Sequence, residues 1–215
     1  MKVYGETIFD ILYLLIAIVS GIVILARSKN SLEKFMGTAV LILGCGDAFH
    51  LVPRVLDYFV DKDLTAALGI GKLVTSITMT VFYIFMYNIY QINYHENENK
   101  ALEGTVWALA IIRVLLCFLP QNRWITNDGS LMIGIVRNVP FVILGLIVIF
   151  LYFSKRNEDK VFKNIWLYVL LSFLFYLPVV IGASEIPMLG MFMLPKTICY
   201  IFIIFAFRRK IKENV

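Results

Sequence analysis

Histidine is nearly missing from this chain: His50 and His95 are the only two. A catalytic zinc ion takes three or so protein ligands, and two histidines in different segments do not supply them. Cysteine is equally scarce. Cys45, Cys117 and Cys199 all fall within apolar runs, where they read as small buried residues and not as a disulfide framework. There is no glycine-rich phosphate loop and no Ser–His–Asp pattern with a credible second member. Charge is sparse, at 16% of residues against about 25% in soluble domains. In its place stands hydrocarbon: 60% of the 215 residues are apolar, and the mean hydropathy is +0.81. The net charge of +5 lies mostly in loops, where membrane topology explains it without nucleic acid as a partner.

Apolar runs of about 17–25 residues mark membrane helices. Seven are expected, at residues 7–26, 35–59, 67–92, 102–120, 131–153, 163–183 and 188–207. The fold class this implies is an all-α membrane protein, a seven-transmembrane helix bundle forming a single polytopic domain over residues 1–215. Lys2, Glu6 and Asp10 flank the first run, and no clear small-residue cleavage site follows, so the first span is expected to stay in the mature chain. Trp124 and Trp166 fit interfacial belts.

Loop charges set the orientation. Arg27, Lys29 and Lys34, then Lys100, then Lys155, Arg156, Lys160 and Lys163, and finally Arg208, Arg209, Lys210 and Lys212 share one side. The other side has Lys2, Lys62 and Arg123. The asymmetry predicts an N-terminus outside and a C-terminus in the cytoplasm, in the cytoplasmic membrane of a bacterium or archaeon.

The two halves share a faint pattern. The basic turn around Arg27 to Lys34 matches that around Lys155 to Lys160. Pro53 and Pro178 then fall late in the second and sixth helices, and Lys72 and Lys196 early in the third and seventh. Such spacing predicts a three-plus-one-plus-three plan of parallel repeats linked by the fourth helix.

Most informative are the charges inside the spans. An ionisable group in hydrocarbon costs several kcal/mol (about 2.5–3.5 on insertion scales) unless it faces a partner or a wet cavity. Asp47, His50, Arg54, Lys72, Arg113, Arg137 and Lys196 all lie within apolar segments. At about 1.5 Å of rise per residue, Asp47 falls near mid-membrane and the cations in the outer half. Asp47, His50 and Arg54 share one helix face. Lys72, Thr75 and Ser76 make a similar stripe on the next helix, and Glu185 sits in the outer hairpin before the last. Five cations against two anions, Asp47 and Glu185, favour an anionic guest, an anionic lipid headgroup or a small anionic solute. Internal pairing, Asp47 with Lys72 or Lys196, is the rival explanation, with snorkelling for Arg54 and Arg137. Gly44 and Gly46 allow close helix approach below Asp47.

Gly44-Cys45-Gly46-Asp47 matches the Gly-x-Gly-Asp of intramembrane aspartyl proteases, which need a second Asp to share a proton. Only Asp10 lies in another span, near its outer end. Lys196 in a seventh helix has the position of a retinal-linking lysine, but no carboxylate counter-ion stands in the third helix. No motif calls for a cofactor or a metal.

Gly46-Asp47-Ala48-Phe49-His50-Leu51-Val52-Pro53-Arg54, followed by Ser76 and Phe82-Tyr83, resembles the lysoplasmalogenase-type family of polytopic membrane proteins over residues 44–84. The resemblance implies cleavage of the vinyl-ether bond of lysoplasmalogens without a known metal requirement. Asp47 would then be the catalytic carboxylate, with His50 as a second candidate and Arg54 near the lipid phosphate. The expected function is therefore an outward-facing basic pocket for an anionic lipid or small molecule, with lipid hydrolysis as its enzymatic form. The alternatives are a small-solute transporter and a sensor or structural protein without catalysis. Candidate ligand-binding residues are Arg54, Lys72, Thr75, Ser76, Arg113, Arg137, Glu185 and Lys196.

Overall fold

A computed structural model describes residues 2–96, 99–183 and 186–213. The described residues form seven α-helices: α1 (Lys2–Arg27), α2 (Ser31–Asp57), α3 (Thr65–Tyr94), α4 (Lys100–Cys117), α5 (Leu131–Ser154), α6 (Ile165–Gly182) and α7 (Met193–Glu213). Two short 3₁₀ segments, Pro120–Asn122 and Pro187–Phe192, precede α5 and α7. Among the described residues six helical segments are long and apolar enough to cross a membrane, so the chain is a multi-pass membrane protein. The helix outside that set is α4, which has 18 residues and carries Lys100, Glu103 and Arg113.

Local chemistry places the helix ends. Asn30, Asn99 and Ser130 accept from the backbone N–H three residues on and start α2, α4 and α5, as N-caps do. The apolar run of the fourth helix continues to residue 120, but the helix stops at Cys117. Its last carbonyls are capped by side chains beyond it: Asn122 Nδ2 donates to Leu116 and Cys117 at 2.8 and 3.2 Å, and Trp124 Nε1 to Cys117 at 2.7 Å. Trp124 is thereby held half-buried against the end of α4. The last helix starts later than expected, after the 3₁₀ segment, and extends to Glu213.

The packing of α1 on α2 is antiparallel with a fixed register. Glu6 meets Arg54, Tyr13 meets Asp47, Ala17 meets Gly44, Gly21 meets Leu41, and Leu25 meets Gly37. Between α2 and α3 the backbones nearly touch. A Cβ at Gly71 would lie 2.2 Å from the Phe49 carbonyl oxygen, and one at Gly46 would overlap Thr78. Thr75 Oγ1 donates to the Gly46 carbonyl at 3.0 Å across the same seam.

Helices α3 and α5 run in the same direction. At one end Lys72 Nζ donates to Asn127 Oδ1, just before α5, at 2.8 Å. At the other, Tyr152 of α5 donates to the Met86 carbonyl of α3 at 3.1 Å, and Lys155 pairs with Glu96 at 2.8 Å. The helix between them must return along the length of the bundle, and α4, at about 27 Å, is long enough to do so. The core has an aromatic layer at mid-height: Tyr83 packs edge-on against Phe141 and Phe173, and Phe82 against Tyr200. Below it Met86, Tyr90, Tyr152, Phe162 and Phe207 are buried.

Candidate functional site

Above the aromatic layer is a cavity of about 490 Å³, lined by the ends of α2, α3, α5 and α6, the start of α7, Arg113 of α4 and the α4–α5 loop. It opens at the end of the bundle where α1 begins. Of the residues singled out from sequence, His50, Arg54, Lys72, Thr75, Ser76, Arg113, Arg137 and Lys196 line it. Asp47 is not among the lining residues. Glu185 lies outside the described residues.

The cations differ in how they are held. Arg54 pairs with Glu6 of α1, which also accepts from the Tyr58 hydroxyl at 3.3 Å. Lys72 donates to Asn127, a residue held at φ 55°, in the left-handed region that Asn tolerates. Arg137 Nη1 donates to Asn122 Oδ1 at 2.6 Å, and its guanidinium carbon lies 4.3 Å from the centre of the Trp124 ring. Lys196 Nζ sits 4.7 Å from the ring centre of Tyr176 and 5.6 Å from that of Tyr200. Arg113 is the deepest in its surroundings, 2% exposed, with its guanidinium carbon 3.3 Å from the centre of the Phe141 ring. Its Nε and Nη1 have no hydrogen-bond partner among the described residues.

Among the described residues Arg54 alone of these five is in an ion pair. Lys72 and Arg137 rest on neutral amide oxygens, and Arg113 and Lys196 on aromatic faces. Contacts with ring faces stabilise a desolvated cation by about 2 kcal/mol, which falls short of the several kcal/mol per ion that burial costs. Asp47 bonds neither Lys72 nor Lys196. Its Oδ2 accepts from the Tyr13 hydroxyl of α1 at 2.5 Å, with Lys196 in electrostatic reach.

Several polar residues of the site escape a reading based on charge in apolar runs. Asn122, Asn127 and Trp124 come from a loop. Asn138 is buried and accepts from the Tyr176 hydroxyl at 2.8 Å. From α1, Glu6, Asp10 and Tyr13 recur at helical spacing and face α2. That spacing was the available signal, obscured because the first two lie near the start of the chain.

His50 lines the cavity with its Nδ1 buried and without a partner among the described residues. No three His, Cys, Asp or Glu side chains among the described residues converge as metal ligands. The cavity wall combines cationic side chains, two of them on aromatic faces, with apolar and neutral polar groups. Compared with protein-family models, curated proteins and solved structures, the chain matches none of them.

Proposed function

We propose that the cavity binds an anionic group, the phosphate of a membrane lipid or of a small solute. Arg113 carries this reading. A guanidinium buried in the bundle with two unpartnered nitrogens costs several kcal/mol unless an anion completes it. Arg137, Lys72 and Lys196 surround the same cavity without carboxylate partners among the described residues. The apolar lining from Leu131, Ile133, Val179 and Val180 suits an acyl or alkenyl chain beside the charged head, which favours the lipid over the free ion.

The bundle geometry supports seven spans. Since α3 and α5 are parallel, α4 joins opposite ends, and its one deep charge, Arg113, turns to the cavity and away from lipid. A three-plus-one-plus-three plan is supported by Lys72 and Lys196, which occupy matching places in their halves and both line the cavity. Glu33 and Asp159, matched in the same way, are both buried acids, Glu33 in the first turn of α2 and Asp159 in the turn before α6. The basic loops all fall at the end opposite the cavity, so the positive-inside rule makes the cavity face outward. The aromatic layer below it favours access from one side, a receptor or hydrolase over an alternating-access transporter.

The test is binding to purified protein in phosphatidylcholine nanodiscs. Lysophosphatidylglycerol is expected to bind, lysophosphatidylcholine to bind more weakly, and inorganic sulfate to compete. Binding of sulfate alone would assign a solute site. Binding of neither would remove the anion reading. The same samples, given lysoplasmalogen, report hydrolysis, with His50→Gln and Asp47→Asn separating the two candidate groups.

A further inference from the structure

Behind the cavity wall, between α1 and α2, lie two carboxyl groups the anion site does not use. Asp10 is 4% exposed and its Oδ2 has no partner among the described residues. Thr7, one turn away on the same buried face, also has an unpartnered hydroxyl. Asp47 accepts from Tyr13, and Asp10 is in electrostatic reach of both Asp47 and Tyr13. The α1–α2 register puts Asp10 level with His50, one turn from Asp47 toward the open end.

A buried carboxylate oxygen with no donor is costly, and neighbouring carboxylates resist double ionisation. A proton on Asp10 relieves both costs. Asp47 is faced by Tyr13 of α1 and by Lys196 and Tyr200 of α7, and Asp10 by Asp47 and Tyr13; His50 of α2, one turn from Asp47, has Lys72 and Lys196 near it, and Arg54 of α2 is paired with Glu6. Of these, Lys196 is the cation beside Asp47, and Lys196 also lines the cavity. An anion seated on Lys196 cancels that influence.

We propose that Asp10, Tyr13 and Asp47 form a proton-binding site coupled to the cavity, so that an anion binding at Lys196 is accompanied by uptake of a proton from solvent. This rests on the anion reading above and adds a coupled ion to it. By linkage the effect is reciprocal: protonation tightens anion binding as much as the anion tightens protonation.

The experiment adds lysophosphatidylglycerol, whose phosphodiester keeps its charge across neutral pH, to protein in weakly buffered phosphatidylcholine nanodiscs. Proton uptake is read by an indicator dye, and carboxyl protonation by infrared difference spectroscopy. Expected is uptake of up to one proton per ligand, with a new protonated-carboxyl band. Apparent affinity should weaken by as much as about tenfold per pH unit as pH rises through the uptake range and level off above it. Asp10→Asn should bind with a flat pH profile and no band. Asp47→Asn should bind more tightly, also without uptake. Tyr13→Phe keeps both carboxyls and should move the pH of uptake. Binding without uptake in the parent protein overturns the coupling and leaves the anion site standing. Uptake that survives the double Asp10→Asn, Asp47→Asn change overturns the assignment of the pair. Absence of binding removes both.

Discussion

Tyr13 of α1 donates its hydroxyl to Oδ2 of Asp47 in α2 at 2.5 Å, and both groups are withdrawn from the cavity beside them. The bond ties the first helix to the second at mid-bundle. It also leaves Lys196, which a direct ion pair with Asp47 would have consumed, free to face the cavity.

Tyr13→Phe removes the donor and keeps the ring. Leaving one buried acceptor unmet costs about 1–3 kcal/mol, so the unfolding midpoint in detergent should fall accordingly. Tyr13→Phe combined with Asp47→Asn should cost less than the two single changes added together. Strict additivity would mean that the bond contributes nothing.

Arg113→Met tests whether the buried guanidinium is kept for binding or for stability. Replacing an unpaired buried charge by an apolar side chain of similar length is neutral or stabilising. The unfolding midpoint should hold or rise, while anion affinity falls at least about tenfold, or about 1.4 kcal/mol. A large loss of stability with unchanged binding would make Arg113 a structural residue.

At the opposite end Asp159 joins three elements. Its Oδ2 accepts from Lys210 Nζ of α7 at 2.5 Å and Asn93 Nδ2 of α3 at 3.2 Å, and its Oδ1 from the Val161 and Phe162 N–H groups. Burial pushes this carboxyl up, but Lys210 and the two backbone donors outweigh it and hold it below its ordinary value of 3.8. A depressed folded-state value means that the stabilisation is complete above pH 3.8 and is lost as pH falls through the folded value. Asp159→Asn should lower the midpoint at pH 7, by about 1–3 kcal/mol, and flatten its decline below pH 4. An unchanged acid limb would place the acid sensitivity elsewhere.

Gly71→Ala puts a Cβ 2.2 Å from a backbone oxygen, a clash no rotamer relieves. Overpacking of this kind costs about 1–3 kcal/mol. It pushes α2 from α3, moving His50 and Lys72 apart across the cavity, so stability and anion affinity should fall together. Gly104→Ala, where nothing lies within 4 Å, is the matched control.

The helices were legible in sequence because hydrocarbon thickness sets a length that composition reveals. The charged residues were legible because burying them needs a reason. Pairing was not. Asp47 suggested a lysine, and its hydrogen-bond donor is a tyrosine in the first span, since Tyr13 looks like any apolar-run aromatic until the α1–α2 register is known. Likewise Asn122 and Trp124 sit in a loop without a motif, and only the turn that ends α4 at Cys117 directs them to its carbonyls and to Arg137. Thr75 shares a helix stripe with Lys72, which points to the pocket. It does line the cavity, yet its hydroxyl is spent on the Gly46 carbonyl.

Calorimetric titration of lysophosphatidylglycerol into the parent protein and Arg113→Met, in the same nanodiscs and with folding checked by thermal midpoint, tests the anion site most directly. Saturable binding by the parent and its loss in an equally stable variant is the expected result. Equal binding by both, or none by either, contradicts an anion site built on Arg113.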